Sequence, residues 1–377
     1  ALQNVRARLP SGSTLRGPQL EFLRAMPRVR RQQFATTTGR PTVTLVERNP
    51  QGQPQPPVEV TGNNIYLQGD SIVSAVGSVV VVRPELTATG DSLFANSGAG
   101  LLRIMRTPRI VGTKGRPFTL VGETIDLLTR RRKLERVLAK SSAVATSEDL
   151  EMRADTIDLR VTDDLLQRAS AWGGSRARAT SPTQAMIADS IDVLLPKQRV
   201  RELIAVRRAS AEGAPDTTKF RTKEMDRLTG DTILAHFDTV AAADTARKPR
   251  IRQLVAIANP GSLATSLQHL PPRDSTLCIP ATNYVRGRRI TVSFDSAKVS
   301  TVNVNDQAGG IYVEPNPDST ARCHRGAPAP VTAGPAAGRA PTGTASGALP
   351  TAPAPAPASP PAGVPVATPA APAPKRP

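Results

Sequence analysis

A recurring hexapeptide constrains this chain more than any other feature. Ala154-Asp155-Thr156-Ile157-Asp158-Leu159 and Ala188-Asp189-Ser190-Ile191-Asp192-Val193 lie 34 positions apart. Both read small, acidic, hydroxyl, aliphatic, any residue, aliphatic. Looser copies stand at Gly62-Asn63-Asn64-Ile65, Gly90-Asp91-Ser92-Leu93, Gly122-Glu123-Thr124-Ile125, Gly230-Asp231-Thr232-Ile233 and Gly287-Arg288-Arg289-Ile290. The small residues are spaced 28, 32, 32, 34, 42 and 57 apart, and a further copy opens at Gly17-Pro18-Gln19-Leu20. Recurrence on that scale marks stacked supersecondary units sharing one core, since no unit holds enough apolar residues to fold alone.

Within a unit the period is two. Ile157-Asp158-Leu159-Arg160-Val161 alternates aliphatic with charged residues, as does Ile290-Thr291-Val292-Ser293-Phe294. Alternation sends one set of side chains to a buried face and the other to water. A second alternating segment follows each motif, for example Val200–Val206 or Lys298–Val304, so one unit is a strand, a turn and a returning strand. The small and acidic residues of the motif suit a tight bend, and a purely architectural role explains them. Two stretches compete as helices. Thr129–Ala139 has good helix formers but falls where other units turn and return. It reads as a hairpin with a basic turn, with Leu134, Arg136 and Leu138 facing one way and Glu135, Val137 and Ala139 the other. Ala241–Arg250 is alanine-rich, meets Pro249 where a helix would stop, and belongs to the inserts that lengthen the later spacings, expected as longer loops with a helical turn.

Three segments follow from composition. Residues 1–57 hold the first partial repeat and a loop rich in proline, residues 58–325 the repeat body with loop insertions. Residues 326–377 carry 15 prolines among alanine, glycine, serine and threonine, which cannot bury a core and predict a disordered tail. The chain begins at Ala1 without an apolar leader, and the expectation is a leader missing from this sequence. No run approaches a membrane-spanning length.

The net charge of +18 and a pI near 11.0 predict anionic partners. Nucleic acid is disfavoured, because three tyrosines and seven phenylalanines are too few and scattered for stacking platforms. Catalysis finds no support: His236, His269 and His324 adjoin no nucleophile motif, and no metal-ligand spacing or phosphate loop occurs. No cofactor is expected. Cys278 and Cys323 flank the last repeat, compatible with one disulfide in an oxidising compartment and equally with two thiols.

The repeats at Gly90–Leu93, Ala154–Ile157 and Ala188–Val193, with the Val200–Val206 return strand, resemble the OstA-like family of lipopolysaccharide-transport proteins. So does Gly69-Asp70-Ser71-Ile72 running into Val76–Val81. The resemblance covers roughly residues 10–315 and implies an all-β fold, an elongated stack of antiparallel strands forming a jellyroll with an open V-shaped groove. It further implies a periplasmic, non-enzymatic lipid carrier. Lipopolysaccharide or another anionic lipid would be its cargo, and other transport jellyrolls, or further copies of the chain, would join edge to edge. Candidate groove residues are then Leu93, Ile125, Leu127, Ile157, Leu159, Val161, Ile191 and Val193. Candidate phosphate contacts at the rim are Arg130, Arg131, Arg132, Lys133, Arg106, Arg207 and Arg208, guanidinium being the better fork for phosphate. The competing reading is a closed structural β-solenoid of the cell envelope, in which the same aliphatics simply pack together.

Overall fold

The computed structural model describes residues 2–317 except 10–11, 47–55, 70, 116, 132, 149, 216, 219, 239–249 and 296–297. The proline-rich loop at 49–55, the alanine-rich stretch at 241–249, Asp70, Arg132, Cys323, His324 and the tail at 326–377 therefore lie outside the described residues.

Alternating sequence becomes strand throughout. The strands are β1 (Leu2–Arg8), β2 (Thr14–Leu23), β3 (Phe34–Thr38), β4 (Thr42–Leu45), β5 (Val58–Thr61), β6 (Asn64–Gln68), β7 (Ile72–Arg83) and β8 (Leu86–Asn96). Next come β9 (Leu101–Met105), β10 (Arg109–Gly112), β11 (Phe118–Val121), β12 (Thr124–Arg130), β13 (Lys133–Ser147), β14 (Glu151–Thr162), β15 (Leu165–Thr180) and β16 (Gln184–Leu194). The last are β17 (Glu202–Gly213), β18 (Asp226–Phe237), β19 (Ile251–Ile257), β20 (Ala264–Leu270), β21 (Ala281–Gly287), β22 (Arg289–Asp295), β23 (Lys298–Asn305) and β24 (Gly309–Val313). All belong to one antiparallel sheet. Pairing runs across residue 57, since β4 pairs with β5 from Thr42↔Thr61 to Leu45↔Val58. The one helical element among the described residues is a short 3₁₀ turn, Pro196–Gln198. No helix there is long and apolar enough to cross a membrane.

The sheet is creased along its middle. Each long strand bends at a corner, and its halves pair in two separate arms. β7 pairs with β6 through Ile72–Val76 and with β5 through Val80–Val82. Where the crease breaks the chain outright, two short strands stand for one long one, as β9 and β10 do beside β8. The first arm runs from the end of β2 through β3, β6, β9, β12 and β19 to β22 and β23. The second runs from the start of β2 through β4, β5, β10, β11, β20 and β21 to β24. The inner faces of both arms contribute to one hydrophobic cluster.

The repeated motif is the crease. Gly90, Gly122, Ala154, Ala188 and Gly230 stand at the corners of successive units. A Cβ on Gly90 would meet Cγ2 of Ile104 at 2.4 Å, which is why the position stays small. On the facing strand the corner takes residues in the left-handed region: Gly77-Ser78, Arg106-Thr107, Ser141-Ser142, Arg207-Arg208 and Asp306-Gln307. A backbone hydrogen bond recurs across it. The N–H of Asn63 donates to Gly77 O at 2.8 Å, Asp91 to Arg106 O at 3.2 Å, Glu123 to Lys140 O at 3.0 Å, and Arg288 to Asp306 O at 2.8 Å. The last corner keeps this bond although Arg288-Arg289 replaces the acidic and hydroxyl residues, because the bond uses only backbone.

Two details of the sequence reading change. Gly69 lies in a hairpin turn with φ +59°, and the corner of that unit is Gly62-Asn63. Thr129–Ala139 is a hairpin as expected, but a register shift opposite Leu128 and Thr129 inserts Glu135 as an extra residue. The bulge places Leu134 on the buried face together with Val137 and Ala139.

Candidate functional site

The eight candidate groove residues occupy the inner face of the first arm, seven of them in two adjacent cross-strand rows. The row nearest the crease reads Leu93, Ile104, Ile125, Ala139, Ile157, Ala171, Ile191, Ala205, Ile233, Ala256 and Ile290 in register. From Ile125 onward, motif strands carry isoleucine and return strands carry alanine. The next row holds Leu127, Val137, Leu159, Ala169, Val193 and Leu203, and Val161 lies beyond it. The second arm contributes small or pliant side chains to the same cluster, among them Ala143, Met152, Ala177, Met186 and Ala209. All belong to one hydrophobic cluster, and the eight candidates are exposed by only 0 to 8%. The arms lie closed on one another.

The sequence grouped seven basic residues as one rim, and the structure divides the six described ones between opposite edges. Arg106, Arg207 and Arg208 sit at the crease. Arg208 binds Asp189 through Nε at 3.1 Å and Nη2 at 2.7 Å, and Arg106 reaches Asp91 at 3.5 Å. There the motif's acidic residue secures the left-handed corner that follows it. Asp155 does the same by accepting the Ser175 N–H at 2.8 Å, and its carboxyl is held below its ordinary range by the Ser175 hydroxyl and N–H. Arg130, Arg131 and Lys133 instead lie at the far edge, in the β12–β13 turn. Arg130 pairs with Glu135 at 3.1 Å and Lys133 with Asp163 at 3.6 Å.

At that far edge the hairpin turns of the two arms meet. Among the described residues no ladder hydrogen bonds join them, and side chains do instead. Lys114 Nζ, in the β10–β11 turn, reaches Asp164 Oδ2 at 2.7 Å in the β14–β15 turn. Gln198 Nε2 donates to the Lys114 carbonyl at 3.4 Å. Asp163-Asp164, read as a turn, is therefore also a cross-arm anchor.

The motif's fifth position, treated as free in the sequence, carries a charge ladder on the outer face of the first arm. Asp126, Asp158 and Asp192 lie on one cross-strand row, separated by Leu138 and Ser170. Arg103 and Lys140 hold Asp126, Arg136 and Arg160 hold Asp158, and Arg168 with the Ser170 hydroxyl holds Asp192. Burial pushes the Asp126 and Asp192 carboxyls up, and the basic partners outweigh it and hold both below the usual range. The recurrence of Asp at the same place in three successive units was the available signal.

A second polar cluster lies near the C-terminal end. The buried His269 ring stands between Glu224, 3.0 Å from Nε2, and Asp226, 3.0 Å from Nδ1, and its backbone N–H donates to Asp226 at 2.8 Å. Burial holds the Asp226 carboxyl above its ordinary range despite those bonds. Nearby, Arg221 N–H donates to Cys278 O at 2.7 Å, and Cys278 is disulfide-bonded. Among the described residues no group of three or more His, Cys, Asp or Glu is arranged to hold a metal ion.

The crease and the closed apolar interior define a two-armed all-β scaffold. No protein-family model and no curated protein matches the chain. Among solved structures, it is similar to LptH, the LptA-homologous periplasmic component of the lipopolysaccharide transport device of Pseudomonas aeruginosa, with 15% identity and a TM-score of 0.29. The match covers 33% of this chain and 94% of that one. A likeness that low carries no argument about this chain.

Proposed function

We propose that this protein is a non-enzymatic lipid-carrying scaffold. Acyl chains would lie between the two arms, and anionic groups would meet Arg130, Arg131 and Lys133 at the far edge. The observation that carries the reading is how that edge is closed. Among the described residues only side chains reach across it, so parting the arms about the crease breaks the Lys114–Asp164 pair, the Gln198 bond to the Lys114 carbonyl and apolar contacts but no backbone ladder. An interior lined by aliphatics suits acyl chains, because burial there replaces water contact for both partners. Lipopolysaccharide is the anionic lipid the sequence resemblance suggests, with a periplasmic location. The outer edges of β23 and β24 are the places where another jellyroll or a second copy would add its strands.

One observation favours a second reading. The eight candidate residues are packed against one another, as they would be in a closed structural solenoid.

Native mass spectrometry of protein purified gently from a Gram-negative envelope separates the two. Retained mass of lipid size is expected, together with uptake of added lipopolysaccharide. Lys114→Cys with Asp164→Cys, bridged by a bismaleimide, should block that uptake, while the unbridged variant loads normally. A clean apo mass with no uptake by either form would leave the closed scaffold as the better account.

A further inference from the structure

The turn between β2 and β3 has a composition that the interior does not explain. It runs from Arg24 to Gln33, far longer than the turns at Ser97–Gly100 and Asp163–Asp164 on the same edge of this arm. Its tip is a small closed hairpin of its own. Met26 N–H donates to Arg30 O at 2.8 Å, Arg30 N–H returns to Met26 O at 2.8 Å, and Val29 N–H donates to Met26 O at 3.1 Å. Arg28 takes the left-handed conformation at φ +71°, and Arg30 Nη1 donates to Arg24 O at 3.0 Å. The tip is therefore shaped before it meets anything.

What this shape presents is apolar. Val29 is 75% exposed and Met26 53%, while Leu23 and Phe34, paired opposite each other at the base, are also exposed. Arg24, Arg28, Arg30 and Arg31 surround them, and no carboxylate occurs from Phe22 to Val46. Along the Asp126, Asp158 and Asp192 ladder of this arm, arginines are matched to acids. Here four arginines have none in their own segment.

We propose that this turn docks the protein on an anionic lipid bilayer, with Met26 and Val29 entering the headgroup–acyl boundary and the arginines resting on lipid phosphates. A bilayer offers both complements in one surface: a sheet of negative charge and apolar depth beneath it. Single-stranded nucleic acid would satisfy the arginines but leave the tip unmatched, because Met and Val have no ring face for bases to stack on. The proposal does not depend on whether the arms part to admit lipid.

The chain's sole tryptophan, Trp172, makes the test direct. In a Trp172→Phe background, Val29→Trp places one indole at the tip of the full chain. Vesicles of phosphatidylcholine with phosphatidylglycerol should shift its emission to the blue, and brominated acyl chains should quench it. Vesicles of phosphatidylcholine alone should do neither. Met26→Ser with Val29→Ser should weaken vesicle binding at least fivefold with the thermal midpoint unchanged. Each of Arg28→Ser and Arg31→Ser should weaken it by a factor of about five. Binding with the indole still in water would assign attachment to another basic surface and overturn the proposal, as would no binding at all.

Discussion

Arg103 grips Asp126 with two parallel hydrogen bonds, Nε to Oδ1 at 2.6 Å and Nη2 to Oδ2 at 2.9 Å. The carboxylate is buried on the outer face, and Lys140 approaches it from the other side at 3.3 Å. This pair is the first step of the ladder that continues through Asp158 and Asp192.

Because the folded pKa of Asp126 is depressed, its contribution to stability is present above its unfolded value, about 3.9, and is lost as pH falls through the folded value. Asp192 acts in the same sense. The thermal midpoint should therefore fall as pH is lowered below about 4. Asp126→Asn should flatten that slope while costing about 1–3 kcal/mol at neutral pH. Denaturant titrations of both proteins at pH 3 and pH 7 check this, and an unchanged slope in the variant would refute it.

Ile157 and Ile191 sit in the row where isoleucine and alanine alternate, and each is almost wholly buried. Ile157→Ala should destabilise by about 2–5 kcal/mol, since the neighbouring ladder strands cannot collapse into the space. Urea denaturation measures it. A loss below about 1 kcal/mol would mean that the arms are loosely packed at this row.

Gly90→Val should destabilise more than Ala154→Val. At Gly90 the added Cβ alone would stand 2.4 Å from a buried Ile104 methyl, whereas position 154 already accommodates a Cβ. Comparison of the two midpoints decides the matter. Equal losses would show that the crease does not depend on how closely the facing strand approaches.

His269→Ala removes the ring that lies between Glu224 and Asp226 and leaves the half-buried Asp226 carboxyl without the ring nitrogen, while the backbone N–H of position 269 still reaches it. Asp226 should then move further above its ordinary range, and amides from Phe220 to Arg227 should exchange faster by about tenfold or more. Hydrogen exchange read by mass spectrometry provides the measurement. Unchanged protection would show that the disulfide-bonded Cys278 region holds the segment without His269.

Much of the architecture was legible in sequence. Strand alternation at Ile157–Val161 and Ile290–Phe294 announced pleated strands, and the small–acidic repeat announced a bend in each unit. The hairpin at Thr129–Ala139 followed from its place in the repeat in spite of its helix propensity. The candidate site was legible only in part. Leu93, Ile125 and Ile191 could be assigned to one face by period, but the alanines between them, Ala139, Ala171 and Ala205, were not among the candidate lining residues because alanine gives little hydrophobic signal. Arg106 and Arg130 looked alike as basic residues beside turns. They proved to lie at opposite edges, since one turn is a crease and the other a hairpin end.

Local sequence by itself determined that this chain forms short antiparallel strands that bend once per unit, because period and bend are properties of a few consecutive residues. Tertiary structure alone decided which carboxylates meet which arginines, that the arms lie closed, and that Lys114 reaches Asp164 fifty positions away. Those relationships join strands whose separation in sequence varies with every turn and insert, and only the folded register fixes which side chains stand side by side.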